Sequence, residues 1–205
     1  MRETVMKNRY IFWRIAHFVL MSAILSLIAC VSLPPLSGKA STAPLPVYKG
    51  VPPETSQILL VVDESFLFFT FTKIYLMEKS DSAWRQAMAP VDAVIGRNGF
   101  AGPGEKREGD GRTPSGLYRL GTAFGYPEIM NTKLPYRQIL ADDVWVDDPK
   151  APDYNRWVKQ SQTAAASYEK LKREDDLYKY AIVIEYNTDP VVKNHGSAIF
   201  LHVWA

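Results

Sequence analysis

Apolar residues fall in short blocks separated by proline, glycine and charge. Ile58-Leu59-Leu60-Val61-Val62 is an unbroken aliphatic run, the pattern of a strand buried on both faces. Leu67 to Met77, rich in Phe, Thr, Ile and Tyr, reads as a second strand, and Val91 to Ile95 as a third. Leu117-Tyr118-Arg119-Leu120 predicts another, entered from a glycine-rich stretch. Between Thr163 and Lys179 the texture changes. Ala164, Ala165, Ala166, Tyr168, Leu171 and Leu177 alternate with charged residues, and Glu169 and Arg173 stand at an i,i+4 spacing, which predicts one clear helix. Its last turn should fray at Asp175-Asp176, where the helix dipole disfavours acid. Tyr180 to Tyr186 is a strong strand, Asn187-Thr188-Asp189-Pro190 a turn, and a last strand follows Gly196. The expected fold class is mixed α/β, mostly β, over residues 56–205.

In that last strand, alternation puts Ala198, Phe200, His202 and Trp204 on one face and Ile199, Leu201 and Val203 on the other. The aliphatic face is expected to bury. His202 is then expected on the opposite face, between two aromatics, where a cleft can form. His195 is seven positions away, an odd separation that would turn its ring to the other side of a continuous strand.

The N-terminal residues form a different kind of block. Arg2, Lys7, Arg9 and Arg14 against Glu3 precede an apolar run from Ile15 to Ala29, the anatomy of a secretory signal. The run is short for a membrane span, which takes roughly 20 apolar residues. Leu27-Ile28-Ala29-Cys30 resembles a bacterial lipobox, which makes Cys30 the expected lipid-attachment residue. An uncleaved anchor, or an ordinary signal cut near Ser41-Thr42-Ala43, would serve the same export. The expected division is therefore residues 1–29 signal peptide, 30–55 a proline-rich tether and 56–205 the folded domain. Pro34, Pro35, Pro44, Pro46, Pro52 and Pro53 keep the tether extended. The expected location is the bacterial cell envelope, tethered to a membrane and facing the periplasm or the cell exterior.

Composition narrows the function. The 205 residues are 47% hydrophobic and 12% aromatic, enough for one sizeable core. The formal charge of +2 sits in the leader; the rest of the chain holds 20 basic and 21 acidic residues, a net of −1. Such a body offers no electrostatic footprint for nucleic acid. A single cysteine forms no disulfide within the chain, and without His-x-x-x-His or paired cysteines no metal site is expected. Seven glycines lie between Gly96 and Gly116, yet neither a Gly-x-x-x-x-Gly-Lys-[Ser/Thr] cradle nor a dinucleotide fingerprint can be drawn through them. Asp142, Asp143, Asp147 and Asp148 suggest a carboxylate pair for glycoside hydrolysis, but adjacent acids in a Pro-rich loop are ordinarily turn formers.

Gly109-Asp110-Gly111-Arg112-Thr113-Pro114-Ser115-Gly116-Leu117-Tyr118 resembles the Thr-Pro-x-Gly-x-[Tyr/Phe] segment of the L,D-transpeptidase (YkuD-type) family. Trp145-Val146-Asp147-Asp148-Pro149, Tyr154-Asn155 and Gly196-Ser197-Ala198-Ile199-Phe200-Leu201-His202 are similar to one exported branch of it, in consistent order. The resemblance implies a β-sandwich-like domain that remodels peptidoglycan by cysteine acyl transfer between stem peptides, contributing to cell-wall biogenesis and cell shape. No cofactor is implied. His202 matches the histidine that pairs with the cysteine, and Gly196, Ser197 and Trp204 become candidates for substrate contact.

The family's nucleophile lies past that histidine in a [Ser/Thr]-x-Gly-Cys motif, which the 205 residues lack. Cys30 stands before the tether and is no substitute. The expectation is a domain incomplete at its C-terminus and inactive as it stands. Three readings follow: a fragment or interrupted reading of an envelope L,D-transpeptidase, a non-catalytic lipoprotein that binds stem peptides or a partner, or a product that never folds stably.

Overall fold

The computed structural model describes residues 50–66, 69–81 and 83–203. The expected signal segment, Cys30, most of the tether and Trp204 lie outside the described residues. The end of the tether is within them: Thr55 N–H donates to Pro52 O at 3.0 Å, closing a turn before the first strand.

β1 (Gln57–Phe66) and β2 (Phe69–Ser80) form an antiparallel hairpin, and β2 also pairs with β3 (Ala83–Gln86) and β4 (Val91–Ala93). The aliphatic run of β1 is half-buried throughout, so the expected burial on both faces is corrected. Only Met77 is buried in this sheet among the described residues. Lys73 on β2 pairs with Asp92 on β4, and Tyr75 donates to Glu64 across the hairpin, so polar cross-strand contacts share the work with apolar ones.

The glycine-rich stretch closes on itself. β5 (Phe100–Ala101) runs parallel to β6 (Thr113–Pro114), and Asn98 N–H reaches Gly111 O at 3.0 Å. Gly96 allows that approach, because a Cβ there would strike the Gly111 carbonyl. The strand expected at 117–120 begins only at Leu120, and Leu117 is exposed.

The core lies between two further sheets. One has the order β13 (Phe200–His202), β12 (Tyr180–Ile184), β7 (Leu120–Gly125), β8 (Tyr136–Gln138), with β7 and β8 parallel. The other has β9 (Asp143–Val146) between β10 (Trp157–Lys159) and β11 (Tyr168–Lys170). Phe124, Ala181 and Val183 of the first sheet meet Trp145 of the second, with Ile139, Leu171 and Tyr178 completing the cluster. Phe200 sits among them, its ring centroid 5.1 Å from Phe124, 5.0 Å from Trp145 and 5.6 Å from Tyr178, all edge-to-face. Such pairs contribute about 0.5–1.5 kcal/mol each beyond their buried area.

Two expectations are overturned here. Residues 163–179 form no helix; the helical element among the described residues is the short 3-10 turn Gln160–Gln162. The fold is nearly all β rather than mixed. The reason is tertiary. All four residues of β9 are buried, so both its edges must be hydrogen-bonded within the protein. β10 serves one edge and Tyr168-Glu169-Lys170 the other, and this demand outweighs the modest helix preference of three alanines. Asp176 at φ 57° then turns the chain back toward β12. The second correction concerns β13, whose Phe200 face, not its aliphatic face, packs on the aromatic core. Ile199 and Leu201 are half-buried and Val203 is exposed.

Candidate functional site around His202

β13 places its residues by register on β12: Phe200 opposite Val183, Leu201 opposite Ile182 and His202 opposite Ala181. His202 thus shares the face of Phe200 but stands at the margin of the core, where it is exposed. Its ring meets that of Tyr178 edge-on, centroids 5.2 Å apart. Its Nδ1 lies 2.7 Å from the Val203 carbonyl oxygen. A carbonyl can only accept, so Nδ1 carries the proton and the Nε2 lone pair of the neutral ring is left free.

Behind this imidazole stands a small polar relay. The Tyr178 hydroxyl donates to Glu169 Oε1 at 2.5 Å, and Arg173 Nη1 lies 3.5 Å from the same oxygen. Burial raises the Glu169 carboxyl above its ordinary value, against the opposing pull of the Tyr178 hydroxyl and the Arg173 guanidinium. Burial also pushes the Tyr178 phenol up, and the neighbouring Glu169 adds to the effect, so Tyr178 stays protonated and donating.

Gly196 and Ser197 lie elsewhere. Both are buried in the loop before β13, under the glycine-rich segment. Ser197 Oγ donates to Glu108 Oε2 at 2.7 Å, Tyr154 Oη donates to the same oxygen at 2.6 Å, and Gly196 N–H donates to Tyr154 Oη at 3.0 Å. Lys106 is folded inward, its Nζ bonded to Arg107 O and to Asp110 Oδ1, both at 2.7 Å. A Cβ at Gly196 would press within 3.0 Å of the Lys106 side chain, and its φ of 96° suits glycine. None of these bonds reaches His202. His195 lies in the loop before β13: Ala198 takes a φ of 52°, and Tyr186 Oη donates to the His195 carbonyl at 2.7 Å.

Asn155 joins the loop to the core. Its Oδ1 accepts from Trp145 Nε1 at 2.7 Å and from Ala198 N–H at 3.2 Å, while its Nδ2 donates to Asn187 O at 2.7 Å. Among the four acids weighed for glycoside chemistry, Asp143 is buried and bonded to Arg137 at 3.1 Å and Lys159 at 3.0 Å, and Lys159 also pairs with Asp142. Asp147 and Asp148 bind Ser167 and the backbone of Ala166. All four are engaged in holding the structure. Among the described residues, no group of three or more His, Cys, Asp or Glu side chains is placed to hold a metal ion.

Compared with family models, curated proteins and solved structures, the chain matches none.

Tyr178 and Glu169 are the residues beside His202 that the sequence did not reveal. The hidden signal was the misread segment. On a helix, positions nine apart differ by half a turn and face opposite sides, so the contact is made only because the chain turns back between β11 and β12.

Proposed function

We propose that residues 57–203 belong to a peptidoglycan L,D-transpeptidase type of domain, and that His202 is the imidazole that partners a cysteine thiolate there. The observation that supports this reading is the arrangement of His202 itself: Nδ1 tied to a backbone carbonyl, Nε2 free, and the ring on an exposed strand edge. That is the geometry a general base needs. In the reaction proposed, Nε2 takes the thiol proton and the thiolate attacks the carbonyl of the diamino acid in a stem peptide. The imidazolium returns its proton to the amine of the departing D-alanine. An amine of a second stem then attacks the thioester, its proton passes to His202, and the thiol is restored.

The 205 residues carry the histidine and not the thiol: their one cysteine is Cys30, and no [Ser/Thr]-x-Gly-Cys occurs among them. We propose further that this domain binds stem peptides beside His202 and is tethered at the bacterial envelope through a lipidated Cys30 or a signal anchor. Incubating the full-length protein with a stem tetrapeptide is the test. Saturable binding is expected; absence of binding would remove the reading.

A further inference from the structure

We propose that a second site, independent of the acyl-transfer reading, binds a small zwitterionic α-amino acid. A cavity of about 240 Å³ opens beside the end of β12 away from His202. Trp145 and Trp157 give it apolar walls, and Arg137, Glu185, Thr122 and Thr188 give it polar ones. By register, Thr122, Phe124 and Arg137 lie on the sheet face of Ala181, so the cavity and His202 share that face with the aromatic core between them.

The polar groups are largely unspent. The Arg137 guanidinium lies over the Trp157 ring, 3.9 Å from its centroid, which sets its plane. One of its N–H groups is used on Asp143 at 3.1 Å, and the side chain is still 43% exposed. Glu185 is anchored by its backbone, its N–H donating to Arg119 O at 2.9 Å, while its carboxylate makes no ion pair or hydrogen bond among the described residues. Among the described residues, the Thr122 and Thr188 hydroxyls make no hydrogen bond either. The cavity thus presents a free carboxylate, an oriented guanidinium and two hydroxyls against indole rings.

This combination selects its ligand. A site with Arg137 alone would take any small carboxylate, but Glu185 repels a second negative charge and favours an ammonium. The complement is one ligand that carries both an ammonium and a carboxylate, with a short apolar body against the indoles. Pockets for drug-sized ligands begin at about 300 Å³, so a small amino acid suits this one better than a peptide.

The test uses the full-length, 15N-labelled protein titrated with alanine, N-acetylalanine and alaninamide, with the Trp157 indole resonance as readout. Alanine should shift it saturably, and each blocked form should bind at least about tenfold more weakly, for one lost charge-assisted contact. Glu185→Gln, at an exposed position, should weaken alanine by about the same factor and abolish its advantage over N-acetylalanine. Gly121→Val should close the mouth, since a Cβ there already comes within 3.0 Å of Glu185 Oε1. No saturable shift with alanine up to its solubility would overturn the proposal. So would equal binding of alanine and N-acetylalanine, which would make this a plain carboxylate site.

Discussion

Tyr178 stands nearly perpendicular to the His202 ring and serves Glu169 with its hydroxyl: the ring centroids are 5.2 Å apart at 81°, and the hydroxyl lies 2.5 Å from Glu169 Oε1. One phenol therefore contacts both an exposed imidazole and a half-buried carboxylate. Two substitutions at Glu169 should separate charge from hydrogen bonding. Glu169→Gln keeps an acceptor for Tyr178 and relieves the burial of a charge, so urea unfolding should change by no more than about 1 kcal/mol. Glu169→Ala leaves the Tyr178 hydroxyl buried without an acceptor and should cost about 1–3 kcal/mol.

Asn155 is expected to be the most sensitive polar residue in the domain. It is 1% exposed and its side chain serves Trp145, Ala198 and Asn187 at once. Asn155→Leu would orphan a buried indole N–H and two backbone groups. A loss on the order of 3 kcal/mol or more is expected in denaturant unfolding. Tyr154→Phe, removing one hydroxyl that bonds Glu108 and Gly196, should cost less, about 1–2 kcal/mol.

The glycine-rich loop should report on acid. Burial alone would raise the Asp110 carboxyl, but the Lys106 ammonium and the N–H groups of Arg107 and Arg112 outweigh it and lower it from 3.8 to about 2. The folded protein thus holds this proton less readily than the unfolded chain. Its contribution, on the order of 2 kcal/mol, is complete above about pH 4 and is lost as pH falls through about 2. Asp110→Asn should lower stability at neutral pH and flatten the acid limb between those values, as followed by thermal melts across pH.

How much of this was legible in the sequence depends on what each signal measured. Tyr180 to Ile184 and Phe200 to His202 were readable as strands because β-branched and aromatic runs mark half-buried extended chain. Residues 163–179 were not, since local propensity sees Ala164–Ala166 and the Glu169–Arg173 spacing, whereas the outcome was set by β9 needing a partner on each edge. The ion pair itself survives without the helix, at 3.5 Å. On β13, alternation identified the two faces correctly, but hydrophobicity alone chose the wrong one to bury. The aromatic face won because Phe200 has Phe124, Trp145 and Tyr178 waiting for it. Tyr154-Asn155 and Gly196-Ser197 carried weight as a resemblance, and in the fold they hold the loop that leads into β13. Nothing in spacing could have joined Ser197 to Glu108, 89 positions away.

The ring resonances of His202 give the most direct measurement of whether it faces a bound stem peptide, as proposed. In the full-length protein titrated with a stem tetrapeptide, the His202 ring signals should move saturably. His202→Ala should weaken binding while shifting unfolding stability by no more than about 0.5 kcal/mol, as befits an exposed side chain. Ring signals that stay fixed at saturating peptide, or peptide affinity unchanged in His202→Ala, would contradict it.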